Sequence, residues 1–437
     1  MKKTIAIGLL LVPYLMAVAG PFDKAELRGV TDKDPVSYTI GEPIDFTLTL
    51  SNADVPENGA YFVQWVRTGD DGKKESGKVP VVKDLSFRIA TTLEKPGFVR
   101  IEAKLVDEKG KDVKRDCPAP GENWFGERGI FFSGGAAADL AKLRQGVEEP
   151  EDFDAFWEKQ KAELRRVPMK VKRWEVKSPK ESVRMYGVQI DCAGGRPVTG
   201  YLSIPKRCDT GMKLPARIEF DGYGTGIQRV PKHCWFDWQI NFHINAHGYD
   251  LEQDGDYYKQ FFASIKRGGT GYAFNKEDNK DPETAYFRGM ALRVLRALEY
   301  LESLPEWNGK EILAEGGSQG GLQAVWAAAL DHHVTKVNPF IIWCCDIGKK
   351  GDGRLRSEFE PAFAPGLRYY DCVNMARRIT GEVHVTRAGL GDYTSPPSGI
   401  ALFYKHLDKA KKKRITFVQG SRHGYIPPKP DQQDWKE

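Results

Sequence analysis

Between residues 22 and 130, apolar and polar positions alternate over short runs at 44–50, 61–66, 86–91 and 98–106. Turn signals such as Asp70-Asp71-Gly72 and Glu108-Lys109-Gly110 separate them. An alternation of period two puts every second side chain on one face, so each run predicts a strand with one buried side. Several such strands joined by short turns predict a small all-β sandwich of immunoglobulin-like type over residues 22–132. The stretch holds no reactive cluster, which predicts a structural or interaction role for it.

The pattern changes after Phe132. Ser133-Gly134-Gly135-Ala136 reads as a hinge, and residues 133–437 read as a second unit. Pro150-Glu151-Asp152-Phe153-Asp154-Ala155-Phe156-Trp157 opens an amphipathic helix with Asp152 as N-cap and Phe153, Phe156 and Trp157 on one face. Residues 184–191 and 198–204 predict an antiparallel pair. Apolar runs at 217–220, 242–245, 312–314, 337–343, 383–387 and 415–418 predict buried parallel strands. Residues 288–304 predict the clearest helix, with Ala291, Leu292, Val294, Leu295, Leu298 and Leu301 on its apolar face. Strands alternating with helices predict a doubly wound, mostly parallel α/β sheet, with its chemistry at the carboxyl ends of the strands.

Composition narrows the class. The 437 residues are 41% hydrophobic and 11% aromatic, too apolar for a disordered chain, and the 45 glycines keep no three-residue period. The 65 Lys plus Arg against 60 Asp plus Glu are interspersed, and a net +5 predicts no nucleic-acid partner. Residues 1–19 have the form of a secretory leader. Lys2 and Lys3 precede an apolar run, and Ala17-Val18-Ala19 matches the small-residue cleavage pattern, so Gly20 is the expected first mature residue. The run is shorter than the ~20 apolar residues a membrane span needs, which predicts export without stable membrane insertion. Cys117, Cys192, Cys208, Cys234, Cys344, Cys345 and Cys372 form no metal-binding spacing and read mostly as small buried hydrophobes.

The chemistry centres on Gly316-Gly317-Ser318-Gln319-Gly320-Gly321, between the strand at 312–314 and a helix starting near Leu322. This is the G-x-S-x-G turn in its required strand-to-helix context and predicts an α/β-hydrolase fold with Ser318 as nucleophile. Glycines two residues either side of the serine leave room for the tight turn. That fold supplies an acid and then a histidine later in the chain. His423, just past the strand at 415–418, is the expected base; His332, His333, His384 and His406 fall at less suitable places. Asp392, in Gly389-Leu390-Gly391-Asp392-Tyr393-Thr394-Ser395-Pro396-Pro397, is the favoured acid, and Asp346 is its rival. The loop Asp221-Gly222-Tyr223-Gly224-Thr225-Gly226 would offer the backbone N–H of Tyr223, paired with that of Gln319, to a developing oxyanion. Neither a metal nor an organic cofactor is called for.

These residues resemble the acetyl xylan esterase and cephalosporin C deacetylase group of carbohydrate esterases. The likeness runs from about Pro150 to Gly424. It rests on the Pro150–Trp157 opening, Gly222-Tyr223-Gly224, Arg296-Ala297-Leu298-Glu299-Tyr300-Leu301, Leu304-Pro305-Glu306, the Ser318 turn, the 389–397 loop and His423. It implies removal of acetyl groups from sugar hydroxyls by Ser318, His423 and Asp392, with oxyanion donation from Tyr223 and Gln319. The substrate it implies is an acetylated oligosaccharide; the oligomeric state stays open. Two positions depart from the group: His247-Gly248-Tyr249 stands where Arg-Gly-Gln is usual, and His423-Gly424 where His-Glu is common. A serine peptidase and a non-catalytic glycan-binding protein, with Trp235 and Trp238 as sugar contacts, are the other readings; the two tryptophans are expected rather to be partly buried lid residues. Residues 254–283 read as an insertion near the site, either a lid or a surface loop.

Overall fold

The structure, a computed structural model, describes residues 20–55, 60–224, 226–231, 236–348 and 353–435. The leader-like residues 1–19, Thr225, Cys234 and Trp235 lie outside them.

The first strands are β1 (Glu26–Thr31), β2 (Ile44–Ser51), β3 (Tyr61–Gly69), β4 (Lys74–Pro80), β5 (Ser86–Thr91), β6 (Gly97–Asp107), the short β7 (Glu122–Asn123) and β8 (Phe131–Ala138). All but β7 form one sheet in the order β1-β2-β5 and another in the order β4-β3-β6-β8. The alternation acts as its period requires: Ile44, Phe46, Leu48 and Leu50 of β2 are buried, while Thr47 and Thr49 are exposed. Phe46, Leu48, Val63, Ile89, Val99, Ile101 and Phe132, drawn from both sheets, share one core. Each such side chain withdrawn from water contributes roughly 1.5–3 kcal/mol.

The rest comprises α1 (Phe153–Arg165), β9 (Val171–Val176), β10 (Val183–Ile190), β11 (Val198–Pro205), β12 (Leu214–Phe220), β13 (Ile240–Ile244), α2 (Gly255–Ser264), α3 (Tyr286–Ser303) and β14 (Trp307–Gly317). It continues with α4 (Gln319–Leu330), β15 (Val334–Phe340), α5 (Cys372–Ala376), β16 (Glu382–Gly389), α6 (Pro397–Lys405), β17 (Lys412–Val418), β18 (Tyr425–Ile426) and β19 (Gln432–Trp435). Ten strands make one sheet in the order β19-β17-β16-β15-β14-β12-β13-β11-β10-β9. The pairs from β13 through β12, β14, β15 and β16 to β17 are parallel, and the flanking pairs are antiparallel. Helix α4 packs on β14 and β15, and α3 packs on α4 with the predicted apolar face buried. Among the described residues no helix is long and apolar enough to cross a membrane.

Three local expectations are corrected. Ser133-Gly134-Gly135-Ala136 is no hinge: all four are buried inside β8, paired with Val99 to Glu102 of β6. Its glycines serve close approach, since a Cβ on Gly134 would lie 2.2 Å from Gln419 Oε1 and one on Gly135 2.8 Å from Leu390 O. The strand expected at 337–343 ends at Phe340, because Ile341 turns to a φ of 42° and carries the chain around Ser318. Asp152 stands at the N-cap of α1 but makes no capping bond; its carboxylate accepts from Tyr369 Oη instead.

Candidate active site

Strand β14 stops at Gly317, α4 starts at Gln319, and Ser318 between them adopts φ 57°, ψ −119°. A non-glycine residue there is strained by about 1–3 kcal/mol and persists only where its surroundings dictate it. Here Ser318 N donates to Phe340 O (3.0 Å), while Ser318 O accepts from Leu322 N (3.0 Å) and Trp343 N (3.2 Å). The flanking glycines are obligatory. A Cβ on Gly316 would lie 2.5 Å from the Gly320 carbonyl carbon, and one on Gly320 2.2 Å from Phe220 O.

Ser318 Oγ lies 3.0 Å from His423 Nε2, and His423 Nδ1 lies 3.0 Å from Asp392 Oδ2. Asp392 is fully buried. Its second oxygen accepts from the backbone N–H groups of Thr394 and Ser395, both at 2.8 Å, which fixes the carboxylate toward the imidazole. The structure therefore brings together the three side chains singled out in the sequence. The rival Asp346 is committed elsewhere, to Arg354 and to Gly146 N. His332 and His333 follow α4, His384 lies within β16 beside Thr416, and His406 ends α6 on Leu402 O.

Strands before residue 139 support both of these loops. Gln419, on the segment leading to His423, exchanges two 2.9 Å hydrogen bonds with the backbone of Gly135. Gly391 abuts Ser133, where a Cβ would lie 2.1 Å from the carbonyl oxygen, and Arg100 Nη1 donates to Asp392 O at 3.3 Å. The small residues of β8 that look like a hinge in the sequence are the surface on which the loops carrying Asp392 and His423 rest.

Tyr223 and Ser318 line one cleft of about 720 Å³, and a Cβ on Gly222 would lie 4.0 Å from Ser318 Cβ. Among the described residues, the N–H groups of Tyr223 and Gln319 enter no hydrogen bond with the protein. The loop that carries Tyr223 is braced by residues that sequence reasoning missed. The ring of Tyr223 stacks on Tyr272 at 4.3 Å. The Tyr272 hydroxyl donates to Gln319 Oε1 and accepts from Gly224 N, so it joins the loop to the residue after the serine. Tyr272 and Phe274 belong to the segment 254–283, which packs against the loop carrying Tyr223.

His247 and Tyr249, the departures noted after β13, hold the same loop. His247 Nε2 meets Gly224 O at 3.1 Å, so that nitrogen carries the proton and Nδ1 accepts from Tyr286 Oη at 2.9 Å. Tyr249 Oη accepts from Gln228 N at 2.7 Å, and Arg293 donates twice to Ala246 O beneath the turn. Burial pulls the His247 pKa down to about 3. An unfolded histidine titrates near 6.5, so between about pH 3 and 6.5 the unfolded chain holds the extra proton. This contribution to stability is complete above pH 6.5 and is lost on acidification, by up to about 1.4 kcal/mol per pH unit. Urea unfolding of the wild type between pH 7 and 4 should show that slope, and His247→Gln should flatten it; equal slopes would remove His247 as its source.

The cleft also carries the carboxylates of Glu219, Asp221 and Glu315, with Arg217 bridging the first and last (2.8 and 3.1 Å). Trp238 is exposed, packs on Phe236 and does not line the cleft. Trp124 and Phe125 do line it, although they come from the stretch that the sequence reads as free of chemistry. Only a contact made across some 300 residues of chain reveals them.

A family model described as acetyl xylan esterase (AXE1) matches residues 136–436. Acetyl esterase Axe7A of Xylanibacter ruminicola is 28% identical over 354 residues, which is 78% of this chain and 74% of that protein. An acetyl xylan esterase from Paenibacillus sp. R4 superposes with a TM-score of 0.55 at 25% identity, over 65% of this chain and 93% of that one. Acetyl xylan esterase 1 from Thermoanaerobacterium sp. JW/SL YS485 gives 0.55 at 22% identity, over 66% and 93%, a likeness of fold. The ten-stranded sheet and its Ser318 turn thus have the α/β-hydrolase fold of these enzymes.

Proposed function

This chain belongs to the acetyl xylan esterase family and is a carboxylic ester hydrolase, and from that premise we propose that it removes acetyl groups from acetylated xylo-oligosaccharides through an acetyl-serine intermediate. The observation that carries the reading is the Ser318–His423–Asp392 chain of two 3.0 Å contacts opening into the cleft.

In this mechanism His423 Nε2 takes the Ser318 proton as Oγ attacks the acetyl carbonyl carbon. Asp392 holds the imidazole in the required tautomer and stabilises the imidazolium. The N–H groups of Tyr223 and Gln319, the latter at the positive end of α4, receive the carbonyl oxygen as it gains charge. Collapse breaks the bond to the sugar oxygen, which leaves with the proton from His423. Water then gives a proton to His423 and attacks the acetyl-serine; acetate departs and Ser318 recovers its hydrogen.

The leader pattern of residues 1–19 supports export, with the protein working outside the cytoplasm. The two N-terminal sheets and their shared core support an immunoglobulin-like sandwich that accompanies the esterase unit and extends through β8. The protein beginning at Gly20 should release acetate from acetylated xylo-oligosaccharides and from p-nitrophenyl acetate. Turnover of the small ester alone would retain the chemistry and refute the substrate.

A further inference from the structure

The family match begins at residue 136, yet the cleft has a wall that precedes it in the chain. Trp124 and Phe125 are 52% and 67% exposed, so burial does not account for the presence of two large rings. Their backbone is nonetheless held firmly. Strand β7 pairs with β18 (Asn123 with Tyr425, Glu122 with Ile426), Trp124 N donates to Gly424 O at 2.9 Å, and Tyr425 Oη donates to Pro120 O at 3.1 Å. The Asn123 side chain closes the turn on Ala119 O, Glu127 O and Glu127 N, and Arg422 pairs with Glu127.

The rings are placed as well. Trp124 meets Phe340 edge-on at 6.2 Å, with the Arg387 guanidinium 4.7 Å from its ring centre. Phe125 lies across Gly424, where a Cβ would come within 2.2 Å of the ring. The glycine beside the base therefore leaves the space that Phe125 occupies.

The position decides the ligand. His423 returns its proton to the leaving oxygen, so the alcohol part of the ester lies on the His423 side of Ser318. Trp124 is bonded to the residue after His423, on that same side. We propose that Trp124 and Phe125 form a platform for the sugar ring that bears the acetyl group, whose C–H face stacks on the negative faces of the aromatic rings. The inference rests on the carbohydrate deacetylase reading and adds a subsite supplied by the N-terminal strands. The platform is preorganised by its backbone bonds, so little conformational freedom is lost when the sugar binds.

Two readouts test it. In Trp124→Ala, the ratio of kcat/KM for acetylated xylo-oligosaccharide to that for p-nitrophenyl acetate should fall about tenfold, mainly through KM, and Trp124→Phe should recover most of it. Equal losses on both substrates would mean that the loop only braces His423, and would overturn the platform. The second readout is calorimetric binding of acetylated xylo-oligosaccharide to Ser318→Ala protein, with and without Trp124→Ala, which needs no turnover. Weakening of about tenfold supports the platform, while unchanged affinity overturns it. If binding depends on Trp124 but the wild type releases no acetate from the same sugar, the platform stands and the deacetylase reading falls. If the wild type and Ser318→Ala both fail to bind the sugar, both readings fall.

Discussion

Ser318→Ala should lower kcat on p-nitrophenyl acetate and on acetylated xylo-oligosaccharides by at least ~10³-fold, the scale seen when a triad member is removed. The substitution deletes one atom, and alanine is compatible with the space around Ser318, which the flanking glycines have already cleared. KM should therefore change little and the melting temperature should stay within a few degrees of wild type. Residual activity should reflect the two N–H groups at Tyr223 and Gln319, because they do not depend on the side-chain oxygen. Retention of more than a tenth of wild-type kcat, with both variant and parent folded, would remove Ser318 as nucleophile.

Asp392→Asn should lower kcat by about 10⁴-fold with KM nearly unchanged. Asparagine keeps an oxygen able to accept from Thr394 N and Ser395 N, so the loop should hold its shape. Its amide N–H₂ then faces His423 Nδ1 and forces that nitrogen to accept, leaving the proton on Nε2. An Nε2 that already carries a proton cannot take one from Ser318. Comparison with Asp346→Asn separates the two carboxylates named from the sequence, because Asp346 meets Arg354 and Gly146 rather than the imidazole. Its effect should appear in melting temperature before it appears in kcat. A larger kcat loss in Asp346→Asn than in Asp392→Asn would reverse the assignment.

Features with a short-range cause could be read from the sequence. Alternation over residues 44–50 predicts a strand with one buried face because the side-chain period is two, and β2 obeys it. The Ser318 turn is legible because its requirements lie within five residues: glycines at 316 and 320 clear the space that the structure shows to be filled. His423 and Asp392 are legible by chain order and by their place after β17 and β16.

Features whose cause lies far along the chain could not. Ser133-Gly134-Gly135-Ala136 looks flexible in isolation, since glycine has no side chain to restrain it. Its partners Gln419, Leu390 and Gly391 sit more than 250 residues later and turn the same glycines into a packing surface. The end of β15 is hidden for another reason: isoleucine carries no signal for a positive φ, and only the wrap around Ser318 imposes it. His247 stands out in the sequence only as a departure from the usual Arg-Gly-Gln, and its bracing role shows only when Gly224 and Tyr286 are seen on either side of its ring. Trp124 and Phe125 give no sign of chemistry until β7 is paired with β18 beside His423.

The proposed role of Ser318, in this cleft, is that of nucleophile for sugar deacetylation. It is tested most directly by titrating the wild-type protein with a serine-directed fluorophosphonate while following acetate release from acetylated xylo-oligosaccharides. A single label is expected, found on the Ser318 peptide by mass spectrometry, with activity that falls in proportion to the labelled fraction. Full labelling of Ser318 with acetate release intact, or activity lost through a label at another residue, would contradict it.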